Sequence, residues 1–356
     1  MSKYWIVFLI AAIVSLVMTP LARKLAFKIG AIDVPKDDRR VHKTPIPRLG
    51  GLAIYLGVVV SVLLMLPLSK TIVGMLVGGT LIVAMGIVDD IKPLSAKTKL
   101  AGQIICALIL VYCGMRIGKF NIPFIEGAEI YLGYLSIPVT IFWIVGITNT
   151  VNLIDGLDGL AAGVSMIAAL SLSYVAHVND LHWIPWVVDA NGGSNAAIMT
   201  LAIAGACLGF LPYNFNPAKI FMGDTGSLFL GYMLSGISIY GAIKGATAFA
   251  TFVPVLALGL PIFDTAFAIL RRALNGKPIM EPDKGHLHHR LLSTGMGQKR
   301  TVLVLYAISA ALGLSAGFMS SSKMLDALVI LFIASGMMYM TVGIPKFQKH
   351  KSTLKE

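Results

Sequence analysis

Residues 4–22 read Tyr4-Trp-Ile-Val-Phe-Leu-Ile-Ala-Ala-Ile-Val-Ser-Leu-Val-Met-Thr-Pro-Leu-Ala22, a run without one charged side chain. As a helix it would rise about 28 Å, close to the ~30 Å of hydrocarbon in a bilayer. Backbone polar groups meet no water there, so a crossing segment must satisfy them internally, as a helix does. Lys3 in front gives the run the look of a signal peptide, but a small-residue cleavage site is missing and Arg23, Lys24 and Lys28 crowd its far end. It is therefore expected to remain as a first transmembrane helix.

The same pattern recurs along the chain. Of 356 residues 56% are apolar and only 13% charged, against about 25% charged in a typical soluble domain. The apolar residues fall into blocks that predict spans at 4–22, 49–68, 71–88, 100–115, 136–150, 160–177, 196–212, 227–243, 247–270, 301–318 and 324–343. The expected fold is an all-α polytopic bundle of eleven spans forming one integral membrane domain, with no soluble domain. Residues 116–135 are too polar to cross and are expected as an external hairpin or interfacial piece, and 178–195 as an irregular external stretch. Cys106, Cys113 and Cys207 lie in apolar blocks without metal-ligand spacing, which makes them packing residues.

Eleven crossings put the termini on opposite sides, and the basic residues orient them. One side collects 23 of the 29 Lys and Arg, with 8 at 23–48 and 7 at 271–300. Cytoplasmic loops carry that excess, so the N-terminus is expected outside and the C-terminus inside. The cytoplasmic pieces are then 23–48, 89–99, 151–159, 211–226, 271–300 and the tail 344–356. The same bias accounts for the net charge of +12. Dispersed over juxtamembrane loops, these charges argue against nucleic-acid binding.

The 17 acidic residues are placed more tellingly. Asp89-Asp90 end the third span, Asp155 and Asp158 follow the fifth, and Asp224 follows the seventh, so three helix ends deliver carboxylates to one face. Adjacent carboxylates repel near a low-dielectric membrane unless they hold a cation, a shared proton, or both. In Asn152-Leu-Ile-Asp155-Gly156-Leu157-Asp158-Gly159, the two acids at three-residue spacing can share a face while the glycines admit a ligand closely. Asn214-Phe-Asn216-Pro-Ala-Lys219-Ile-Phe221-Met-Gly223-Asp224 sets an aspartate beside glycine and an aromatic able to stack on a planar ring. His286, His288 and His289 with Arg290 could hold zinc, donate to phosphate oxygens or lie in a solvated loop; the carboxylate-rich surroundings favour a hard ion such as Mg²⁺ over zinc. Asp264 lies inside the ninth span, either paired with Arg271 and Arg272 or lining the site. His42, Lys43, Arg48, Lys97 and Lys99 add cations. Carboxylates for a metal with cations around them suit a polyphosphate, and a membrane surface suits a lipid phosphate.

The motifs D-D-x-x-P-L at 89–94, N-x-x-N-L-I-D-G-L-D-G-L at 149–160, N-F-N-P-A-K-I-F-M-G-D-T-G-S at 214–227 and H-L-H-H-R at 286–290, in this order, resemble the polyprenyl-phosphate N-acetylhexosamine-1-phosphate transferases, glycosyltransferase family 4. Within them the H-L-H-H-R form is similar to the undecaprenyl-phosphate N-acetylglucosamine-1-phosphate transferases, which begin teichoic acid, O-antigen and related polymers. The sister phospho-N-acetylmuramoyl-pentapeptide transferases carry a longer histidine run that this chain lacks.

The resemblance implies transfer of N-acetylglucosamine-1-phosphate from UDP-N-acetylglucosamine to undecaprenyl phosphate, releasing UMP, at the cytoplasmic face of a bacterial cell membrane. It implies Mg²⁺, with Mn²⁺ as a substitute, and a homodimer. By resemblance Asp224 is the leading metal ligand, with Asp89 and Asp90 as further ligands, lipid-phosphate contacts or base. The Asp155-Gly156-Leu157-Asp158 run, Phe221 and Lys43 would hold uridine, and His286, His288, His289 and Arg290 the sugar diphosphate end. Arg48, Lys97, Lys99, Asn152, Asn214 and Asp264 complete the expected substrate-binding set. A transporter of lipid-linked sugars is the rival from another class, but such sites lie near the midplane, and only Asp264 lies there.

Overall fold

The computed structural model describes residues 3–34, 45–121, 129–182, 195–244, 252–276, 285–320 and 323–353. Among them the chain is almost entirely helical: α1 (Lys3–Ile29), α2 (Gly51–Met65), α3 (Lys70–Ile91), α4 (Ala96–Tyr112), α5 (Ser136–Ile154), α6 (Leu160–His182), α7 (Asn195–Asn214), α8 (Gly223–Lys244), α9 (Phe252–Ala257), α10 (Gly259–Leu274), α11 (Leu287–Ser293), α12 (Gln298–Ser320) and α13 (Met324–Thr353). Two small antiparallel pairs accompany them, β1 (Ile32–Asp33) with β2 (Ile46–Pro47) and β3 (Lys119–Asn121) with β4 (Glu129–Tyr131). The second pair is the hairpin expected in 116–135.

Among the described residues five helices are long and apolar enough to cross a membrane: Lys3–Ile29, Lys70–Ile91, Gly133–Ile154, Asn195–Asn214 and Gln298–Ser320. Shorter apolar helices add Gly51–Met65, Leu160–Ala176 and Met324–Met338. Their outer surface is the reverse of a soluble protein's, with Ile13 58%, Val17 59%, Phe142 78% and Phe332 80% exposed. Side chains of this kind are at home in lipid and not in water, and the chain is an integral membrane protein. Inside, hydroxyls bond back to their own helix, as Thr19 does to the Ser15 carbonyl, Ser61 to Gly57 and Thr200 to Ala196. These hydroxyls then need no water. The cysteines are free, with Cys106 and Cys207 buried.

The core forms around α8. Every residue from Thr225 to Tyr240 is buried, with Phe229 packed on Tyr55 of α2 and Gly79 of α3, and Tyr232 on Gly78 of α3 with its hydroxyl on the Cys106 carbonyl of α4. Polar ties fix helix register: Gln103 of α4 and Asn149 of α5 exchange hydrogen bonds at 2.6 and 3.2 Å, and Trp143 donates to Ser238 at 3.1 Å.

Two expectations change. The ninth span, expected as continuous over 247–270, is broken at Leu258 between α9 and α10. Pro261 explains the break, since it has no N–H for the Ala257 carbonyl and its ring would collide with that carbonyl in a continuous helix. The stretch 178–195, expected to be irregular, is helical as far as His182 and again from Asn195, and 183–194 lies outside the described residues.

Candidate active site

Three helix ends meet at one end of the bundle. Asp89 and Asp90 occupy the last turn of α3, Asp155 is the C-cap residue of α5, and Asp224 sits in the first turn of α8. Asp224 belongs to the helix, not to the loop before it, so its carboxylate also meets the positive end of the helix dipole. Gly223 turns the chain into α8 with φ +71°, and a side chain there would strike the Arg48 carbonyl and the Asp90 carboxylate. Gly51 and Gly226 likewise let the starts of α2 and α8 touch backbone to backbone.

The adjacent aspartates have separate tasks. Asp90, its side chain fully buried, accepts from Asp224 N at 2.9 Å through Oδ1 and from Thr225 N at 3.0 Å and Thr225 Oγ1 at 2.6 Å through Oδ2. Arg48 Nε stands 3.8 Å from Oδ1. Asp90 therefore caps α8 from the neighbouring helix, satisfying amides that a helix start leaves without partners. Both of its oxygens are engaged by the fold.

Asp89 turns the other way. The Pro93 turn brings Leu94 N back to Asp89 Oδ1 at 2.7 Å, and Ser95 caps α4 by accepting from Thr98 N at 3.2 Å. The first turn of α4 thereby presents Lys99, whose Nζ lies 3.3 Å from Asp89 Oδ2 and 3.0 Å from Asp224 Oδ2. Asn152 Nδ2 donates to Asp224 Oδ1 at 3.2 Å and to Ser227 Oγ at 2.8 Å. Two carboxylates from α3 and α8 thus share one ammonium. Asp155 adds a third acid: burial, with Asp224 nearby, pushes its carboxyl up to about 7, while Arg48 pulls the other way.

The donor set fits a hard divalent ion at Asp89 and Asp224, where carboxylate oxygens outnumber the cation between them. Among the described residues no three His, Cys, Asp or Glu side chains surround a single point. An ion there would complete its shell from water and substrate phosphate, as Mg²⁺ ordinarily does.

Other expected residues split between brace and site. Asp155 and Asp158 do not share a helix face, because 155–159 is a turn. Asp158 Oδ2 accepts from Asn216 Nδ2 at 2.8 Å and Ala218 N at 3.1 Å, and Asn216 also donates to Gln298 at the start of α12. Asn214 is buried with both ends engaged, by Gly159 N and the Ile220 carbonyl, which makes it a brace between the 155–159 turn and the segment before α8. Lys97 remains solvent-exposed, and Lys43 lies outside the described residues. Phe221 is half-buried and strapped to β2 and α2, donating from N to the Pro47 carbonyl at 2.8 Å and accepting from Gly50 N at 2.9 Å. Leu157 is buried.

The histidine segment closes the same end. His286 and His288 are buried, His289 is exposed and Arg290 half-buried, 5.6 Å from the Phe267 ring. The His288 ring lies against Gly156, where a side chain would meet Nε2. Burial, helped by His289, pushes His288 down to about 4, so it is neutral at physiological pH. Asp264, expected to pair with Arg271 and Arg272 or to line the site, is buried with His286 Nδ1 at 3.0 Å and Leu287 N at 2.8 Å from its carboxylate oxygens.

Thr225 and Tyr306 were not singled out by sequence, whereas Arg271 was expected only as a partner of Asp264. Tyr306 donates to the Gly159 carbonyl and Arg271 to that of Gly285 at 2.7 Å. Thr225 had a local signal, standing between Asp224 and Gly226; Tyr306 acts across a long sequence separation.

The fold and these helix ends define a polytopic helical membrane protein with an acid–lysine centre at one end of the bundle. The glycosyl transferase family 4 model matches residues 72–242. The chain is 44% identical over 335 residues, 94% of its own length and 89% of the relative's, to the probable undecaprenyl-phosphate N-acetylglucosaminyl 1-phosphate transferase of Bacillus subtilis. It is 40% identical over 325 residues, 84% of the chain and 77% of the relative, to the decaprenyl-phosphate N-acetylglucosaminephosphotransferase of Mycolicibacterium smegmatis. The phospho-N-acetylmuramoyl-pentapeptide-transferase of Desulfotalea psychrophila is 37% identical over 317 residues, 81% and 84% of the two lengths. The chain belongs to glycosyl transferase family 4.

Proposed function

We propose that this protein transfers N-acetylglucosamine-1-phosphate from UDP-N-acetylglucosamine to undecaprenyl phosphate, giving undecaprenyl-diphospho-N-acetylglucosamine and UMP, as the first membrane step of an envelope glycopolymer. The observation that carries this reading is the Asp89–Lys99–Asp224 centre at helix ends. A lipid phosphate could reach it from the bilayer and a nucleotide sugar from water. The 44% identity to a relative of that name, over nearly the whole chain, supports the choice of donor and lipid.

A phosphate monoester is largely ionised at neutral pH, with a second pKa of about 6, so the acceptor needs no strong base. In the proposed step its oxygen attacks the sugar-bearing phosphorus, the bond from that phosphorus to the bridging oxygen breaks, and UMP leaves with that oxygen. Asp89 and Asp224 would hold Mg²⁺, which when bound neutralises charge on the diphosphate. Lys99, with its ammonium between the two acids, adds a cation toward the phosphates, and Arg48 and Arg290 stand near the same end. Asn152 keeps Asp224 oriented. Phe221 and the 155–158 turn are proposed to hold the uridine. The positive-inside count supports a cytoplasmic setting for this end, and the bacterial relatives support a bacterial cell membrane.

Purified protein given UDP-N-acetylglucosamine, undecaprenyl phosphate and Mg²⁺ should release UMP, and chelation should stop it. UMP formed only with UDP-N-acetylmuramoyl-pentapeptide would reassign the donor, and none with either donor would reject the reading.

A further inference from the structure

The tenth helix grips the histidine segment at three points. Asp264 Oδ1 accepts from Leu287 N at 2.8 Å, Asp264 Oδ2 lies 3.0 Å from His286 Nδ1, and Arg271 Nη1 donates to the Gly285 carbonyl at 2.7 Å. Asp264 and His286 are 5% and 6% exposed. A buried acid is costly unless its oxygens are satisfied, and here one oxygen takes a backbone amide and the other an imidazole. With Asp264 as the acceptor Nδ1 carries the hydrogen, and in that neutral tautomer the lone pair lies on Nε2. The effect passes along the segment. The His286 and His288 rings lie parallel at 5.9 Å, His288 and His289 follow at 4.2 Å, and His288 packs on Gly156 beside Asp155. A contact in the interior of the bundle is thus joined to the acid centre by two turns of chain.

We propose that Asp264 is a positioning residue that acts through His286: it fixes the Nδ1–H tautomer and pins residues 286–287, so that the histidine segment is set against the 155–158 turn. The kinetic part rests on the transferase reading, and the spectroscopic part does not. In Asp264→Asn the amide still accepts from Leu287 N but turns an N–H toward His286 Nδ1, so the ring must move its hydrogen to Nε2. In His286→Asn the side-chain amide nitrogen can replace Nδ1 as donor to Asp264, preserving the fold while removing Nε2.

The test is ¹⁵N NMR of histidine-labelled full-length protein in nanodiscs, with the His286 signals assigned by their loss in His286→Asn, together with a double-mutant cycle on UMP release. The expected result is a proton on Nδ1 of His286 in the wild type and on Nε2 in Asp264→Asn. Asp264→Asn should lose about 10²-fold in kcat/KM, the scale of a small misplacement at a reaction centre, and lose almost nothing more in the His286→Asn background. A lone pair on Nδ1 in the wild type would overturn the proposal without any variant having to fold. So would an equal loss from Asp264→Asn in both backgrounds, which would mark a purely structural acid. If the tautomers are as expected but the wild type releases no UMP, the transferase reading fails and the positioning contact stands.

Discussion

Because Asp90 accepts from Asp224 N, Thr225 N and Thr225 Oγ1, alanine in its place leaves buried donors with no partner. Asp90→Ala should therefore lower stability by roughly 2–4 kcal/mol, seen as a lower melting temperature of the detergent-solubilised protein. Asp224→Asn should melt nearly as the wild type does while UMP release falls by at least ~10²-fold; near-normal turnover would remove Asp224 from the centre. His288 offers a pH test. Its folded value of about 4 lies below the ordinary 6.5, so the unfolded chain binds the proton more readily. Stability is then full above about pH 6.5 and falls as the pH drops toward 4. Melting temperatures at pH 7 and pH 5 should differ more for the wild type than for His288→Gln. At this scale the sequence showed which residues cluster, because acids and glycines in apolar surroundings are conspicuous. It did not show that Asp90 and Asn214 brace the fold, since a carboxylate or amide reads alike whether it faces backbone or ligand.

At the scale of elements, α8 organises the centre: its start receives Asp90 from α3, Asn152 from α5 and the backbone of α2. Thr225→Val keeps the shape and removes one donor to Asp90, so it should cost about 1 kcal/mol and loosen the α3–α8 contact. Faster hydrogen exchange at the last turn of α3 and the first of α8, with the rest unchanged, would check it. Most helices were legible from block length and hydropathy, because lipid demands long apolar helices. The break at Leu258 was not, although Pro261 was in plain view. A proline in a transmembrane block is often tolerated, and only the packed structure shows where it divides a helix. The β1–β2 pair was missed because two residues per strand give no readable period.

At the scale of the molecule, the ends that converge are those assigned to one side by the basic residues: the end of α3, the start of α4, the end of α5 and the starts of α6, α8 and α12. The assignment of that side to the cytoplasm is testable by labelling. In a cysteine-free background on intact cells, an impermeant maleimide should modify Tyr134→Cys and should reach Lys92→Cys only after the membrane is opened; the reverse pattern would invert the topology. The central claim is that a sugar phosphate, and not a bare sugar, moves to a lipid phosphate at the Asp89–Lys99–Asp224 centre. It is tested most directly by a donor labelled at its β-phosphorus. The account predicts that all transferred label enters the lipid diphosphate and that the released nucleotide is unlabelled UMP. Labelled UDP beside an unlabelled lipid would contradict it.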